Sequence, residues 1–133
     1  MHKDAVVEQL LAMKTIAVVG LSSKADRPSY RVAAYMQWHG YRIIPVNPAE
    51  DEVLGEQAYA SVGEIPVEIA VGLVDVFRRS ELTPPVVAAA IQRGVRGIWL
   101  QLGIRNAEAR GLAEAANLPY VEDLCWKIEH ARR

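Results

Sequence analysis

Four near-continuous apolar runs, with a weaker fifth, set the strongest limit on how this chain can fold. The strong runs are Ile16–Val19, Ile43–Val46, Ile69–Val74 and Ile98–Leu102, and the weaker one is Leu118–Val121. None shows the strict alternation of polar and apolar residues that a half-exposed strand requires, whereas strands buried on both faces of a parallel sheet are apolar throughout. The runs therefore predict a buried, mainly parallel sheet of five strands.

Segments with helical spacing separate these runs. The predicted helices are 30–39, 84–93, 107–116 and Asp123–Ala131. Asn106 and Asp123 are predicted to cap the last two, because their side chains accept hydrogen bonds from first-turn amides. Residues 1–14 predict a further amphipathic helix packed on the same domain. Alternating strands and helices indicate a single α/β domain over residues 1–133, with a doubly wound, mainly parallel sheet.

Composition narrows the classes of function. The 133 residues are 51% hydrophobic and 23% charged, as in an ordinary globular domain. A net charge of −1 provides no basic field for nucleic acid or an anionic membrane, so an anion must be bound at a local site. One cysteine, Cys125, cannot form an internal disulfide, and the first residues lack the pattern of a signal peptide or membrane span. We therefore expect a cytoplasmic protein.

The stretch VVGLSSKADRPSYRV, residues 18–32, contains the first candidate site. In a doubly wound sheet, ligands bind beyond the carboxyl ends of the strands, where the strand order reverses. Gly20 suits a tight turn or the close approach of a ligand, and Ser22, Arg27 and Ser29 precede or begin a helix whose N-terminus attracts anions. A pyrophosphate site is one interpretation. The other is a solvated connection in which Ser29 only caps the helix.

The stretch VDVFRRS, residues 74–80, contains a second candidate site at the end of a later strand. Asp75 is expected at an exposed strand end. Phe77 and Arg78 could cover an adenine ring and pair with a phosphate, since arginine both stacks on aromatic rings and binds phosphate. The alternative places Phe77 in the core and leaves Arg78 and Arg79 solvated or paired with nearby acids.

Asn47 and Pro48 occupy the loop after the second strand, where a classical NAD site carries an acidic residue that binds the ribose. This departure, together with the missing second and third glycines of GxGxxG, counts against NAD. His2, His39 and His130 have no metal-ligand spacing, and no phosphate loop or nucleophile elbow occurs. The residues therefore indicate a binding crevice and no metal or catalytic site.

Five motifs in order over residues 15–131 carry a family resemblance. They are GLSSKADRPSYRV, IPVNP, VDVFRRS, WLQLGIRN and the Asp-Leu-Cys that precedes KIEH. Together they resemble the stand-alone CoA-binding protein family, small Rossmann-like domains similar to the CoA-binding domain of the succinyl-CoA synthetase α subunit. The resemblance implies a Rossmann-like fold with coenzyme A or an acyl-CoA bound at the carboxyl ends of the strands.

The resemblance also implies which residues bind. Along the phosphates and the pantetheine arm it places Gly20, Ser22, Arg27, Ser29, Tyr30 and Arg31. Around the nucleotide and the ribose phosphate it places Asn47, Pro48, Val76, Phe77 and Arg78. Gly103 would flank the exit of the arm.

The resemblance does not extend to ligase activity. The synthetase uses a phosphorylated histidine from a later domain, and His130 in the predicted terminal helix does not match it. The expected function is a CoA-binding module with no catalytic residue, which a protein partner or a second copy of the chain could join. The alternative is an NAD(P)-dependent oxidoreductase in which Arg27 and the pair Arg78 and Arg79 accept a 2′-phosphate. Cys125 is expected to be a small buried residue, with a mixed disulfide to the CoA thiol as the alternative.

Overall fold

The structure is a computed structural model that describes residues 3–133; Met1 and His2, which the predicted first helix included, lie outside the described residues. Residues 3–133 contain seven strands in chain order. They are β1 (Thr15–Val19), β2 (Arg42–Val46), β3 (Glu52–Val53), β4 (Glu56–Gln57), β5 (Leu73–Val76), β6 (Gly97–Leu100) and β7 (Tyr120–Val121). Five of them form one parallel sheet in the order β2-β1-β5-β6-β7. The predicted five-stranded parallel sheet is confirmed.

Five α-helices of the described part of the chain cover both faces of the sheet. They are α1 (Lys3–Leu11), α2 (Pro28–Trp38), α3 (Thr83–Arg93), α4 (Ala107–Ala115) and α5 (Trp126–Ala131). Residues of α1, α2 and α5 join one buried cluster, and residues of α3 and α4 join the other. Because both faces are covered, each strand must be apolar on both sides, which explains the continuous runs. Among residues 3–133, no helix is long and apolar enough to cross a bilayer.

A short hairpin lies in the connection that leaves β2. Strands β3 and β4 pair antiparallel outside the main sheet. Leu54 and Gly55 connect them with φ values of 55° and 79°, as a two-residue type I′ turn requires. The sequence prediction contained only a loop here, because two-residue strands leave no periodic signal.

The third strand of the parallel sheet was predicted with the wrong bounds. The apolar run Ile69–Val74 led to that prediction, but β5 spans Leu73–Val76. Ile69 and Val71 instead pack from the loop before β5 against the cluster beneath α3 and α4. The hydrophobicity of this segment therefore reflects the burial of its side chains and not a strand conformation. As a result Asp75 is not at an exposed strand end but inside the sheet, paired in register with Val18 and Trp99.

The two predicted caps have different outcomes. The Asn106 side chain accepts a hydrogen bond from the Ala109 N–H at 2.9 Å, so that cap is confirmed. The cap at Asp123 is wrong, because α5 begins at Trp126 with Cys125 as its N-cap. Asp123 has a φ of 59° and uses its carboxylate to accept the Gly103 N–H at 2.7 Å. Its side chain therefore fixes the loop after β6.

The strand order places a crevice between β1 and β5. The chain passes from β1 outward to β2 and then returns to the other side of β1 to form β5. The connections that follow β1 and β5 therefore diverge to opposite faces of the sheet, which leaves an opening at the carboxyl ends of these two strands.

Candidate functional site

A cleft of about 750 Å³ occupies this opening. Three loops and the start of α5 form its walls. The loop after β1 and the start of α2 contribute Gly20, Ser22, Arg27, Pro28, Ser29 and Val32. The segment after β5 contributes Phe77, Arg78, Arg79, Ser80 and Glu81. The loop after β6 and the residue before α5 contribute Gln101, Leu102, Gly103, Ile104 and Cys125. Its volume suits a nucleotide-sized ligand.

Gly20 allows the two central loops to meet. Its φ is 86°, a left-handed conformation that residues with a Cβ rarely adopt. A Cβ at this position would lie 2.2 Å from the backbone carbonyl oxygen of Phe77. The backbone of Phe77 therefore requires glycine at this position, and the approach of a ligand to Gly20 stays a prediction.

Hydrogen bonds hold the loop after β1 against the first turn of α2. The Ser22 N–H donates to Ser29 Oγ at 3.0 Å, and the Lys24 N–H donates to Ser22 Oγ at 3.1 Å. Arg27 is the N-cap residue but makes no side-chain capping bond, and Pro28 has no N–H. No side chain therefore caps this helix, and its positive N-terminal end lies at the cleft.

Positive charge is concentrated on the walls formed by the loops after β1 and β5. Arg27 is exposed, Arg78 is half-buried, and neither makes an ion pair with another described residue. Arg79 lies 3.9 Å from Glu81, and both side chains are largely exposed. Two unpaired guanidinium groups and an uncapped helix N-terminus give this part of the cleft the character of an anion site.

The opposite wall, formed by the loop after β6 and by Cys125, carries no charged side chain. Leu102 is 64% exposed and Ile104 is half-buried, so this wall presents apolar surface to the cleft. Gln101 is only 4% exposed, and its Oε1 accepts the Trp126 N–H at 3.1 Å. Cys125 is half-buried and not fully buried as predicted. The cleft therefore has one cationic and one uncharged side.

Asp75 lies in the layer of side chains beneath the cleft. It is 0% exposed, and neither carboxyl oxygen has a hydrogen-bond partner among residues 3–133. Burial raises its pKa well above the usual range, and the Val76 N–H offsets only part of this shift. The folded protein therefore favours the neutral acid at this position, which avoids a buried negative charge below an anion site.

The acids near Cys125 have structural partners. Glu122 accepts hydrogen bonds from the Tyr120 hydroxyl at 2.8 Å and from the Arg110 guanidinium. Burial alone would raise the pKa of Glu122, but these hydrogen bonds lower it overall. Asp123 lies 3.4 Å from Arg105. Both carboxylates are thus engaged in holding the loop after β6.

Two of the histidines meet away from the cleft, although they are far apart in sequence. His130 Nδ1 lies 2.8 Å from the Tyr35 hydroxyl, and its ring stacks on Trp126. The His39 ring centroid is 5.0 Å from that of His130. Burial lowers the pKa of His130, and the charges of His39 and Lys14 lower it further. Among residues 3–133, no group of three His, Cys, Asp or Glu side chains could hold a metal ion.

Some of the predicted site residues lie together in the cleft, and others lie outside it. The residues that line the cleft are Gly20, Ser22, Arg27, Ser29, Phe77, Arg78 and Gly103. Those that do not line it are Tyr30, Arg31, Asn47, Pro48 and Val76. Of these, the Asn47 side chain donates to the Leu21 carbonyl at 3.0 Å and so ties together the loops after β1 and β2. Val76 lies buried inside β5.

The predicted site omitted Gln101 and Cys125, which also line the cleft. Gln101 had a usable signal, because it is the one polar residue in the apolar run Ile98–Leu102 and follows a buried strand directly. Cys125 had a weaker signal, because it ends the fifth motif of the family resemblance, but its place in the cleft depends on the return of α5 across the sheet towards α2.

Comparison with known proteins gives relatives that match along nearly their whole length. One is a protein of Bacillus subtilis (strain 168), "Uncharacterized protein YneT", which is 43% identical over 131 residues, or 97% of this chain and 94% of that protein. A solved structure, "hypothetical protein from Pyrococcus horikoshii OT3", is 38% identical with a TM-score of 0.93. That match covers 98% of this chain and 92% of the other.

A third relative is a much longer enzyme. Acetate–CoA ligase (ADP-forming) II of Archaeoglobus fulgidus is 29% identical over 93 residues, which is 68% of this chain but 14% of the ligase. The likeness therefore concerns one part of that enzyme. Residues 14–131 match the family model described as CoA binding domain. This match covers almost all of the chain, and the protein belongs to the CoA-binding domain family.

Proposed function

We propose that the cleft binds coenzyme A or an acyl-CoA and that the chain acts as a binding module. The observation that carries this proposal is the division of the cleft into a cationic side and an uncharged side at the switch point of the sheet. Coenzyme A has the same division, with phosphates at one end and an uncharged pantetheine arm at the other. Membership of the CoA-binding domain family supports the same ligand.

The cationic side suits the phosphates. Arg27 and the uncapped start of α2 lie on one wall, and Arg78 lies on the next. A half-buried aromatic ring, Phe77, lies directly before Arg78 and suits the face of an adenine base. The ligand would then extend its arm along the wall formed by Leu102 and Ile104.

An oxidoreductase that uses NAD(P) fits the cleft less well. The Asn47 amide donates to the Leu21 carbonyl, and its oxygen accepts the Ala49 N–H at 3.0 Å, so this side chain is committed to the loop. The nearby carboxylate of Glu50 accepts the Ser23 N–H at 2.9 Å. The position directly after β2, where NAD sites carry an acid for the ribose diol, is thus occupied by an amide that is bound within the loop.

Calorimetric titration tests the proposal directly. Titrations would use CoA, acetyl-CoA, adenosine 3′,5′-bisphosphate and NADP. We expect saturable binding of CoA and of the bisphosphate, and weaker binding of NADP. No heat and no thermal shift with any CoA species would overturn the proposal, and tighter binding of NADP than of CoA would favour the oxidoreductase.

Arg78→Ala is expected to weaken CoA binding by about 1–3 kcal/mol, the scale of a charge-assisted hydrogen bond to phosphate. Stability should barely change, because Arg78 has no ion pair among the described residues. Arg96→Ala is the matched control, since Arg96 is exposed and lies before β6, at the opposite end of the strands. Equal affinities of the wild type and Arg78→Ala would place Arg78 outside the site.

A further inference from the structure

We propose that Gln101 recognises the pantetheine arm, by donating a hydrogen bond from its side-chain NH2 group to a carbonyl oxygen of the arm. This inference rests on the proposed function and adds a specific contact to it. Gln101 lines the cleft directly above Trp99 in the buried layer that also contains Asp75.

The orientation of the Gln101 amide follows from its partner. The Trp126 backbone N–H lies 3.1 Å from Oε1 and can only donate, so the oxygen must face Trp126. The NH2 group makes no hydrogen bond with any other described residue, although Gln101 is only 4% exposed. The rest of the side chain is enclosed by the protein, so the NH2 group is open only towards the cleft that Gln101 lines. The cleft is where a partner can reach it.

Three backbone donors of the loop after β6 are already used. The Gly103 N–H donates to Asp123, the Ile104 N–H donates to the Gln101 carbonyl at 2.9 Å, and the Arg105 N–H donates to Ser80 Oγ at 3.1 Å. Gln101 therefore supplies a fixed side-chain donor beside the apolar side chains of Leu102 and Ile104. Such a wall suits an uncharged chain that carries carbonyl groups, because its methylene groups pack on Leu102 and Ile104 while one carbonyl accepts from Gln101.

The distribution of charge in the rest of the cleft favours the binding of the arm along this wall. Its charged lining residues all come from the segments after β1 and β5. Phosphates bound there would leave the uncharged wall to the remainder of the ligand. The two amide carbonyls of pantetheine, or the thioester carbonyl of an acyl-CoA, have the required acceptor chemistry.

The test compares two ligands with the wild type and two variants. Gln101→Glu keeps an oxygen that can accept from Trp126 N–H, and Gln101→Met keeps the length of the side chain but removes both polar groups. The ligands are CoA and adenosine 3′,5′-bisphosphate, which lacks the arm. Calorimetry gives the ratio of their dissociation constants, which measures the contribution of the arm, and circular dichroism checks that each variant is folded.

We expect the contribution of the arm to fall about tenfold in Gln101→Met, and also in Gln101→Glu, as for the loss of one hydrogen bond to a nearly buried donor. In Gln101→Met the affinity for the bisphosphate should stay within about twofold of the wild type. An unchanged ratio in both variants would overturn this inference while leaving CoA binding intact. A wild type that binds neither ligand would overturn the proposed function, and this inference with it.

Discussion

Asp75→Asn is expected to be more stable than the wild type at neutral pH and similar to it near pH 4. The carboxyl is fully buried in β5, between Val18 and Trp99, and has no hydrogen-bond partner among residues 3–133. Burial raises its pKa well above the usual range. The folded chain therefore keeps a proton that the unfolded chain releases as the pH rises.

The sign of the pH dependence follows from this proton. Below the usual aspartate range both states are protonated, and Asp75 contributes its full stability. Above that range only the folded state is protonated, so the free energy of unfolding falls by about 1.4 kcal/mol for each pH unit until the raised pKa is reached. Asparagine does not titrate. The stability advantage of Asp75→Asn should therefore grow with pH at that rate.

Urea denaturation of the wild type and Asp75→Asn at pH values from about 4 to 8 measures this difference. Asp75→Leu provides a second comparison, because it removes the same titrating group without placing an amide in the core. Both variants should show the same pH-dependent gain over the wild type. Parallel curves for all three proteins would show that Asp75 ionises equally in the folded and unfolded chains.

The sheet could be predicted from the sequence because its physical cause is local. Each strand is buried on both faces, so Ile16–Val19 and Ile43–Val46 had to be apolar, and β1 and β2 follow these runs closely. Asp75 could not be placed in the same way. A charged residue next to an apolar run usually marks the end of a strand, whereas this one is buried inside β5, and burial raises its pKa. Only the pairing with β1 and β6 reveals that position.

Residues of the cleft could be predicted from the sequence where their position depends on a single loop. Gly20, Arg27 and Arg78 follow or face strand ends, and the switch-point rule brings their loops together. Gln101 follows β6 directly and was predictable in the same way, but the orientation of its side chain depends on the first N–H of α5. Cys125 joins the cleft only through α5, so its place depends on how a terminal helix packs across the sheet.

Gly20→Ala is expected to destabilise the fold by about 3 kcal/mol and to abolish tight ligand binding. The new methyl group would have to adopt a φ near 86° and would lie 2.2 Å from the Phe77 carbonyl oxygen. An unfavourable φ alone costs on the order of 1 kcal/mol, and the clash with backbone adds to it because neither strand end can move freely. Phe77 N–H donates to Val19 O at 2.8 Å, so a shift of this segment would strain the pairing of β1 with β5.

The variant Gly94→Ala separates the cost of the unfavourable φ in Gly20→Ala from the cost of its clash with the backbone. Gly94 ends α3 with a φ of 83°, but a Cβ there would have no heavy atom within 4 Å. Its replacement should cost only the conformational term, about 1 kcal/mol, and should leave CoA affinity unchanged because Gly94 is remote from the cleft. Chemical denaturation and calorimetric titration of both variants provide the measurement.

If Gly20→Ala lost no more stability than Gly94→Ala, the contact between Gly20 and Phe77 would not constrain the fold. If it lost stability but kept its affinity, the spacing of the two loops would not matter to the ligand.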